Sequence, residues 1–327
     1  MIDSYLFPYA LIFLLTLVLT VFMCRLIIPF LKKRAEQPIY TEGPSWHIAK
    51  SGTPTMGGLS FVFSVSSVLI LSALYKYLAN DAQGVISLFI CLIYALFNAS
   101  VGVIDDLTKL RHNKNAGLSP RAKLILQFLS SILFLLARRL FLNDSVALSL
   151  SFIKIDSELI YYFISLIILV GITNCANLTD GVDGLASSVA FGIGISLFYM
   201  SYARFGTASI ICISLAAAAL GFLFFNVHPA RIFMGDTGSL FLGSLVGALA
   251  FEMSNPFIAV ISGGVYVIEG ISVILQVAFY KMTKRRLFKM APLHHHLEKC
   301  DWDENKICLC ALILTILFTA VVIFVCR

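Results

Sequence analysis

The chain has 327 residues, 59% of them hydrophobic and 13% charged, with a formal net charge of +6 and a mean hydropathy of +0.91. That balance excludes an ordinary soluble domain and identifies a polytopic membrane protein embedded in a lipid bilayer. No nucleic-acid partner is expected.

A membrane-crossing helix needs roughly 20 apolar residues, and about ten such stretches follow one another, at 5–31, 55–75, 84–104, 121–142, 159–176, 184–202, 207–226, 239–251, 257–280 and 307–325. The first is too long for the apolar part of a cleavable signal, and Asp3 stands where a basic region would be, so it is expected to be retained. The eight cysteines are scattered, mostly through apolar sequence, without metal-ligand spacing, and are expected to be reduced and buried.

Lys and Arg bias sets orientation. The connections after the first, third, seventh and ninth stretches hold Lys32, Lys33, Arg34 and Lys50, then Lys109, Arg111, Lys114, Arg121 and Lys123, then Arg231, then seven basic residues between Lys281 and Lys306. The other side has only Lys76, Arg138, Arg139, Lys154, Arg204 and Arg327. The first group is therefore expected in the cytoplasm and both termini outside. Asp105, Asp106, Asp180, Asp183 and Asp236 then fall on that same cytoplasmic face. Carboxylates near a bilayer are costly unless water, a cation or a partner stabilises them, so their collection there suggests a metal-assisted site for a phosphorylated substrate.

Four segments on that face carry the chemistry. Asp105-Asp106 closes the third stretch, at a helix C-terminus where the macrodipole disfavours anions by about 0.3–1 kcal/mol. Adjacent carboxylates also repel, and a divalent cation would relieve that. Residues 174–186 turn the chain between the fifth and sixth stretches, with Asn177, Asp180, Gly181 and Asp183 suited to sugar, base or metal-bound water. Asp183 equally suits the N-cap of the sixth helix. Residues 226–239 bring Asn226, Phe233 and Asp236 together. Phe233 suits nucleobase stacking or interface anchoring, and Asp236 suits a metal ligand or a helix cap. The fourth segment contains His294-His295-His296 among basic residues; consecutive side chains do not converge easily on one tetrahedral zinc, and a polyanion is the better match. Glu269, inside the ninth stretch near Gly263, Gly264 and Gly270, is expected to satisfy backbone groups freed by a bend, through water.

Taken in order, the residues from Lys50 through Thr55 to Gly58, Asp105-Asp106 with Lys109, the run from Asn177 to Gly184, the run from Phe233 to Ser239, and Ala291 to His296 resemble the phospho-N-acetylmuramoyl-pentapeptide transferases of the polyprenyl-phosphate N-acetylhexosamine-1-phosphate transferase superfamily. The resemblance covers nearly the whole chain and implies a single transferase domain over 1–327. This would be an all-α bundle of about ten transmembrane helices, usually a homodimer, with an interrupted ninth helix and a cytoplasmic active-site cleft. It would lie in the bacterial inner membrane and serve peptidoglycan synthesis. The implied reaction joins UDP-N-acetylmuramoyl-pentapeptide to undecaprenyl phosphate, giving lipid I and UMP, with Mg2+ as cofactor.

The same resemblance implies that Asp236 holds the magnesium and that Asp105 and Asp106 serve phosphate activation or charge organisation. His294 and His295 would meet substrate phosphate or sugar, with His296 beside them. Asn177, Asp180, Gly181, Asp183, Asn226 and Phe233 would line the nucleoside and sugar pocket, with Lys50 and Thr55 nearby. Lys109, with Arg121 or Lys123, would hold the lipid phosphate. Since phosphoryl transfer asks mainly for positioning and charge stabilisation, direct attack by the anionic lipid phosphate is preferred over a covalent aspartyl intermediate. A related transferase acting on UDP-N-acetylglucosamine is the alternative. An ion-coupled transporter is disfavoured by the absence of mid-helix carboxylates and repeat symmetry; a lipid-binding scaffold would release no UMP.

Overall fold

The computed structural model describes residues 2–33, 52–112, 117–142, 148–150, 153–155, 157–203 and 206–325. Its helices are α1 (Ile2–Lys32), α2 (Leu59–Leu78), α3 (Ala82–His112), α4 (Pro120–Phe141), α5 (Glu158–Thr179), α6 (Leu185–Ser201), α7 (Gly206–Asn226), α8 (Gly235–Glu252), α9 (Phe257–Ser262), α10 (Gly264–Thr283), α11 (Leu293–Glu298) and α12 (Glu304–Val325). Among the described residues, eight helices are long and apolar enough to cross a membrane, and α6 is a shorter apolar helix. Between α4 and α5 lies a minimal antiparallel hairpin, β1 (Leu148–Leu150) and β2 (Ile153–Ile155), paired Leu148 with Ile155 and Leu150 with Ile153. The helical reading of the sequence holds, with this hairpin added where apolar and polar residues alternate.

In lipid a helix satisfies its own backbone, so what sorts the helices is which of their faces are small enough to pack. α8 is the centre: every residue from Thr237 to Phe251 is buried, packed chiefly against α3 and α5. Its small residues permit that approach. A Cβ added at Gly243 would lie 2.8 Å from Thr173 Cα and from Ala176 Cβ, and one added at Gly102 of α3 would lie 2.3 Å from the Asp236 carbonyl oxygen. Around this centre, α6 packs on α7 and α12, and α1 packs on α7. The periphery is apolar and exposed, with Leu11, Leu14, Val18 and Phe22 on α1, Ile125, Leu133 and Leu140 on α4, and Leu309, Leu317 and Phe324 on α12, as a lipid-facing surface requires.

Three boundaries matter for the site. The apolar stretch ends near residue 104, but α3 continues to His112, because Leu107, Lys109, Leu110 and Arg111 are good helix formers. Asp105 and Asp106 therefore lie inside the helix, well before its C-terminus, and the macrodipole reasoning for them does not apply. α8 begins at Gly235, so Asp236 stands in its first turn. The ninth stretch is interrupted at Gly263, between α9 and α10.

The Gly102 contact gives a clean test of this packing. Gly102→Ala should cost roughly 1–3 kcal/mol of stability by overpacking and impair the site at Asp236. Gly171→Ala, whose added Cβ meets nothing within 4 Å, should leave the thermal midpoint unchanged or raised. Equal midpoints for the two variants would contradict the close α3–α8 approach.

Candidate active site

The C-terminal parts of α3 and α5 and the N-terminal turns of α4 and α8 meet at one end of the bundle, and their polar side chains form one network. Asp105 is 1% exposed. Its carboxylate accepts the Leu118 N–H at 2.8 Å and pairs with Lys109 at 2.7 Å and Lys123 at 3.3 Å. The same two lysines reach Asp236 Oδ2, Lys109 at 3.2 Å and Lys123 at 2.5 Å. Asn177 donates from Nδ2 to Asp236 Oδ1 at 3.1 Å and to Ser239 Oγ at 2.7 Å, so the orientation of Asp236 is fixed from both sides. Lys123, not Arg121, enters the cluster; Arg121 is exposed at the start of α4. Tertiary geometry makes that choice, since the two lie two residues apart on one helix turn.

The Asp-Asp pair divides its work. Asp106 turns away from the lysines and accepts the backbone N–H groups of Asp236 and Thr237 at 3.1 and 2.9 Å, and the Thr237 hydroxyl at 2.7 Å. The carboxylate oxygens of Asp105, Asp106 and Asp236 nevertheless lie within 4.8 Å of one another, a set that can hold a metal ion. Three hard carboxylate oxygens are the donor chemistry of Mg2+ rather than of zinc, so the residues present fit a magnesium ion.

The loop after α5 lies near this cluster. Asp180 is half-buried, and burial together with the charges of Asp236, Asp106 and Asp183 pushes its carboxyl well above the usual carboxylate range. A carboxyl raised in the folded state weakens folding as pH climbs from its ordinary titration range through its folded value, and costs nothing below that range. Asp180→Asn should therefore raise the thermal midpoint near neutral pH in the absence of divalent cations, with the gain vanishing by about pH 4. An unchanged or lower midpoint at neutral pH would contradict this.

Asp183 and Asn226 are held by the protein itself. The Asp183 carboxylate accepts the Ala230 N–H at 3.0 Å and faces His228 Nδ1 at 3.0 Å, while its backbone N–H donates to Glu304 at 3.0 Å. Asp183, His228 and Glu304 also form a second possible metal-holding set, but they bind one another and brace the loops before α6 and after α7 to α12. Asn226, 2% exposed, accepts the Gly184 N–H at 3.1 Å and the Ser187 hydroxyl at 3.4 Å, and donates to the Ile232 carbonyl at 2.9 Å. The start of α6 is thus tethered to α7, and Gly184 rather than Asp183 stands at its N-cap. Phe233 is half-buried, its backbone pinned between Pro54 O (2.8 Å) and Gly57 N (2.8 Å). Thr55 is buried beside Gly235, whose added Cβ would lie 2.9 Å from Thr55 Oγ1. Lys50 lies outside the described residues.

The three histidines diverge, as their spacing requires. His294 is wholly buried; its Nδ1 lies 3.2 Å from Glu269 Oε2, which also accepts the His294 backbone N–H at 3.2 Å. Its other ring nitrogen abuts Gly181, where an added Cβ would lie 2.3 Å from Nε2. Glu269 therefore holds the first turn of α11, and His294 carries that restraint to the Asp180–Gly181 loop. His295 is half-buried and pairs with Glu298 Oε2 at 2.5 Å. His296 Nδ1 accepts the Lys289 N–H at 3.1 Å. The Glu269–His294 link was invisible in the sequence, where the two stand in different elements.

Residues 87–254 match the family described as Glycosyl transferase family 4, and residues 50–62 match the phospho-N-acetylmuramoyl-pentapeptide-transferase signature 1. The chain is similar to proteins named phospho-N-acetylmuramoyl-pentapeptide-transferase from several bacteria. It is 40% identical to that of Caldicellulosiruptor bescii over 90% of this chain and 89% of the relative, and 42% identical to that of Clostridium botulinum over 86% and 85%. To that of Rickettsia prowazekii it is 37% identical over 90% and 86%.

Proposed function

Because the chain belongs to the phospho-N-acetylmuramoyl-pentapeptide transferase family, a family of multi-pass membrane transferases of peptidoglycan synthesis, we propose that it moves phospho-N-acetylmuramoyl-pentapeptide from UDP to undecaprenyl phosphate, yielding lipid I and UMP. The observation that carries this reading is the pair of carboxylates, Asp105 and Asp236, bridged by Lys109 and Lys123 at one end of the bundle. Anion and cation alternate there within a few ångströms, as a site must that receives both a divalent cation and two phosphorylated reactants.

In the proposed reaction an oxygen of the lipid phosphate attacks the β-phosphorus of the donor. A new P–O bond forms as the bond from the β-phosphorus to the bridging oxygen breaks, and that electron pair leaves with UMP. Lys109 and Lys123, already poised between Asp105 and Asp236, draw the incoming and developing phosphate charge. Asn177 holds Asp236 in one orientation, and Asp180, Gly181 and Phe233 flank the donor, with His295 at the sugar or phosphate. Magnesium, held by Asp236 with Asp105, would neutralise diphosphate charge. The lipid phosphate is anionic near neutral pH, so no covalent aspartyl intermediate is needed.

The basic loops on the same end favour the cytoplasmic face for this site, with both termini outside. The donor would then arrive from the cytosol and the acceptor from the inner leaflet, to a protein that works as a homodimer.

The test is UMP release by the purified full chain given undecaprenyl phosphate and either UDP-N-acetylmuramoyl-pentapeptide or UDP-N-acetylglucosamine, with and without Mg2+. Magnesium-dependent release from the muramoyl donor alone is expected. Release only from UDP-N-acetylglucosamine, or from neither, would overturn the assignment.

A further inference from the structure

The start of α8 has no cap of its own. Met234 stands at its N-cap and makes no side-chain hydrogen bond to the helix, although the leading N–H groups of a buried helix must find acceptors. The acceptor comes from α3. Asp106 Oδ1 takes the Asp236 N–H, and Asp106 Oδ2 takes both the N–H and the hydroxyl of Thr237. Asp106 is 3% exposed and Thr237 0%, so the hydroxyl is walled off from substrate.

The surrounding chain is shaped for this contact. Gly102 precedes Asp106 by one helical turn and faces the same partner, its missing Cβ leaving room for the Asp236 carbonyl. Gly235 has φ +72°, and a Cβ there would stand 2.7 Å from Asp106 Oδ2. From the other side Gly58 N donates to Met234 O at 2.9 Å, and a Cβ on Gly58 would stand 2.2 Å from Gly238 Cα. Three chain segments thus fix one turn of helix, and the side chain projecting from that turn is Asp236.

We propose that Asp106 and Thr237 form a positioning pair that caps α8 and thereby aims the Asp236 carboxylate at the phosphate site. Thr237 touches no reactant and acts through Asp106. This rests on the reading of Asp236 as the metal-holding residue, and extends it to a residue that reaches the carboxylates only through the buried Asp106.

Thr237→Val keeps shape and removes the hydroxyl; Thr237→Ser restores it. In the purified full chain, Thr237→Val should lower kcat about tenfold and weaken Mn2+ binding, followed by electron paramagnetic resonance without substrate, by a similar factor. KM for the donor should stay within about twofold, since a loss confined to kcat marks an interaction made in the transition state. Thr237→Ser should return both quantities to within about twofold of the parent. Thr237→Ala serves in the same role if the valine variant does not fold. Parental kcat and Mn2+ affinity in Thr237→Val, or a serine variant as impaired as the valine one, would overturn the proposal. If the parent released no UMP, the functional reading would fail while the Mn2+ measurement still decided the capping claim.

Discussion

Asp236→Asn should lower kcat by on the order of 10³-fold while the protein keeps its fold. The substitution preserves volume and can still accept from Asn177 through its amide oxygen, but it removes the charge on which Lys109 and Lys123 converge. The lysines would then be drawn wholly to Asp105, which each already contacts, and the remaining carboxylates would hold a divalent cation less tightly. Burial magnifies each of these changes, because interactions in a water-poor site are screened little. The measurement is UMP release at saturating donor and acceptor, with the thermal midpoint as a check on folding. A loss below about tenfold would remove Asp236 from the chemistry.

The second large effect is expected at Lys123. Its ammonium sits between Asp105 and Asp236, so Lys123→Met leaves two carboxylates facing each other with only Lys109 between them. Turnover should fall on the order of 10²-fold, because a cation aimed at developing phosphate charge is lost. KM for the lipid phosphate should rise with it, since the same charge attracts the ground-state anion. Arg121→Met, two residues away and exposed, should change turnover by less than about twofold, within the usual range for a surface substitution. Equal losses in the two variants would mean that α4 supplies general basic charge rather than a placed ammonium.

Much of this arrangement was legible because membrane sequences are constrained. The length of each apolar run placed the crossing helices, the distribution of Lys and Arg put five aspartates on one face, and the glycines of the ninth stretch marked its interruption at Gly263. What was not legible depends on tertiary contact. The apolar run ends near Ile104, yet the helix goes on, so Asp105 and Asp106 lie within the C-terminal part of α3 and take different partners. Asp183 looked like an N-cap by spacing, but Gly184 takes that position and Asn226 reaches across from α7 to hold it. Glu269 and His294 meet only because the loop after α10 folds back. The glycines at 58, 102 and 238 could be seen in the sequence, but their mutual approach at the start of α8 could not.

These departures share a cause. Local pattern reports what a residue suits, and in a dry interior each polar group goes to whatever partner the packing brings within reach. The start of α8 is therefore capped by a side chain from α3, whereas α4 is capped by its own Ser119, and Asp106 serves both as that cap and as a member of the carboxylate cluster.

The most direct test of the central claim is Mn2+ affinity, measured by electron paramagnetic resonance on the purified full chain without substrate, in the parent, Lys123→Met and Asp236→Asn. If Lys109 and Lys123 occupy the carboxylates that a divalent cation shares, removing Lys123 should tighten Mn2+ binding several-fold, even as turnover falls, because a competing positive charge has gone. Asp236→Asn should abolish the tight component. The same affinity in all three proteins would contradict the account, since the cation would then bind somewhere other than the Asp105–Asp236 cluster.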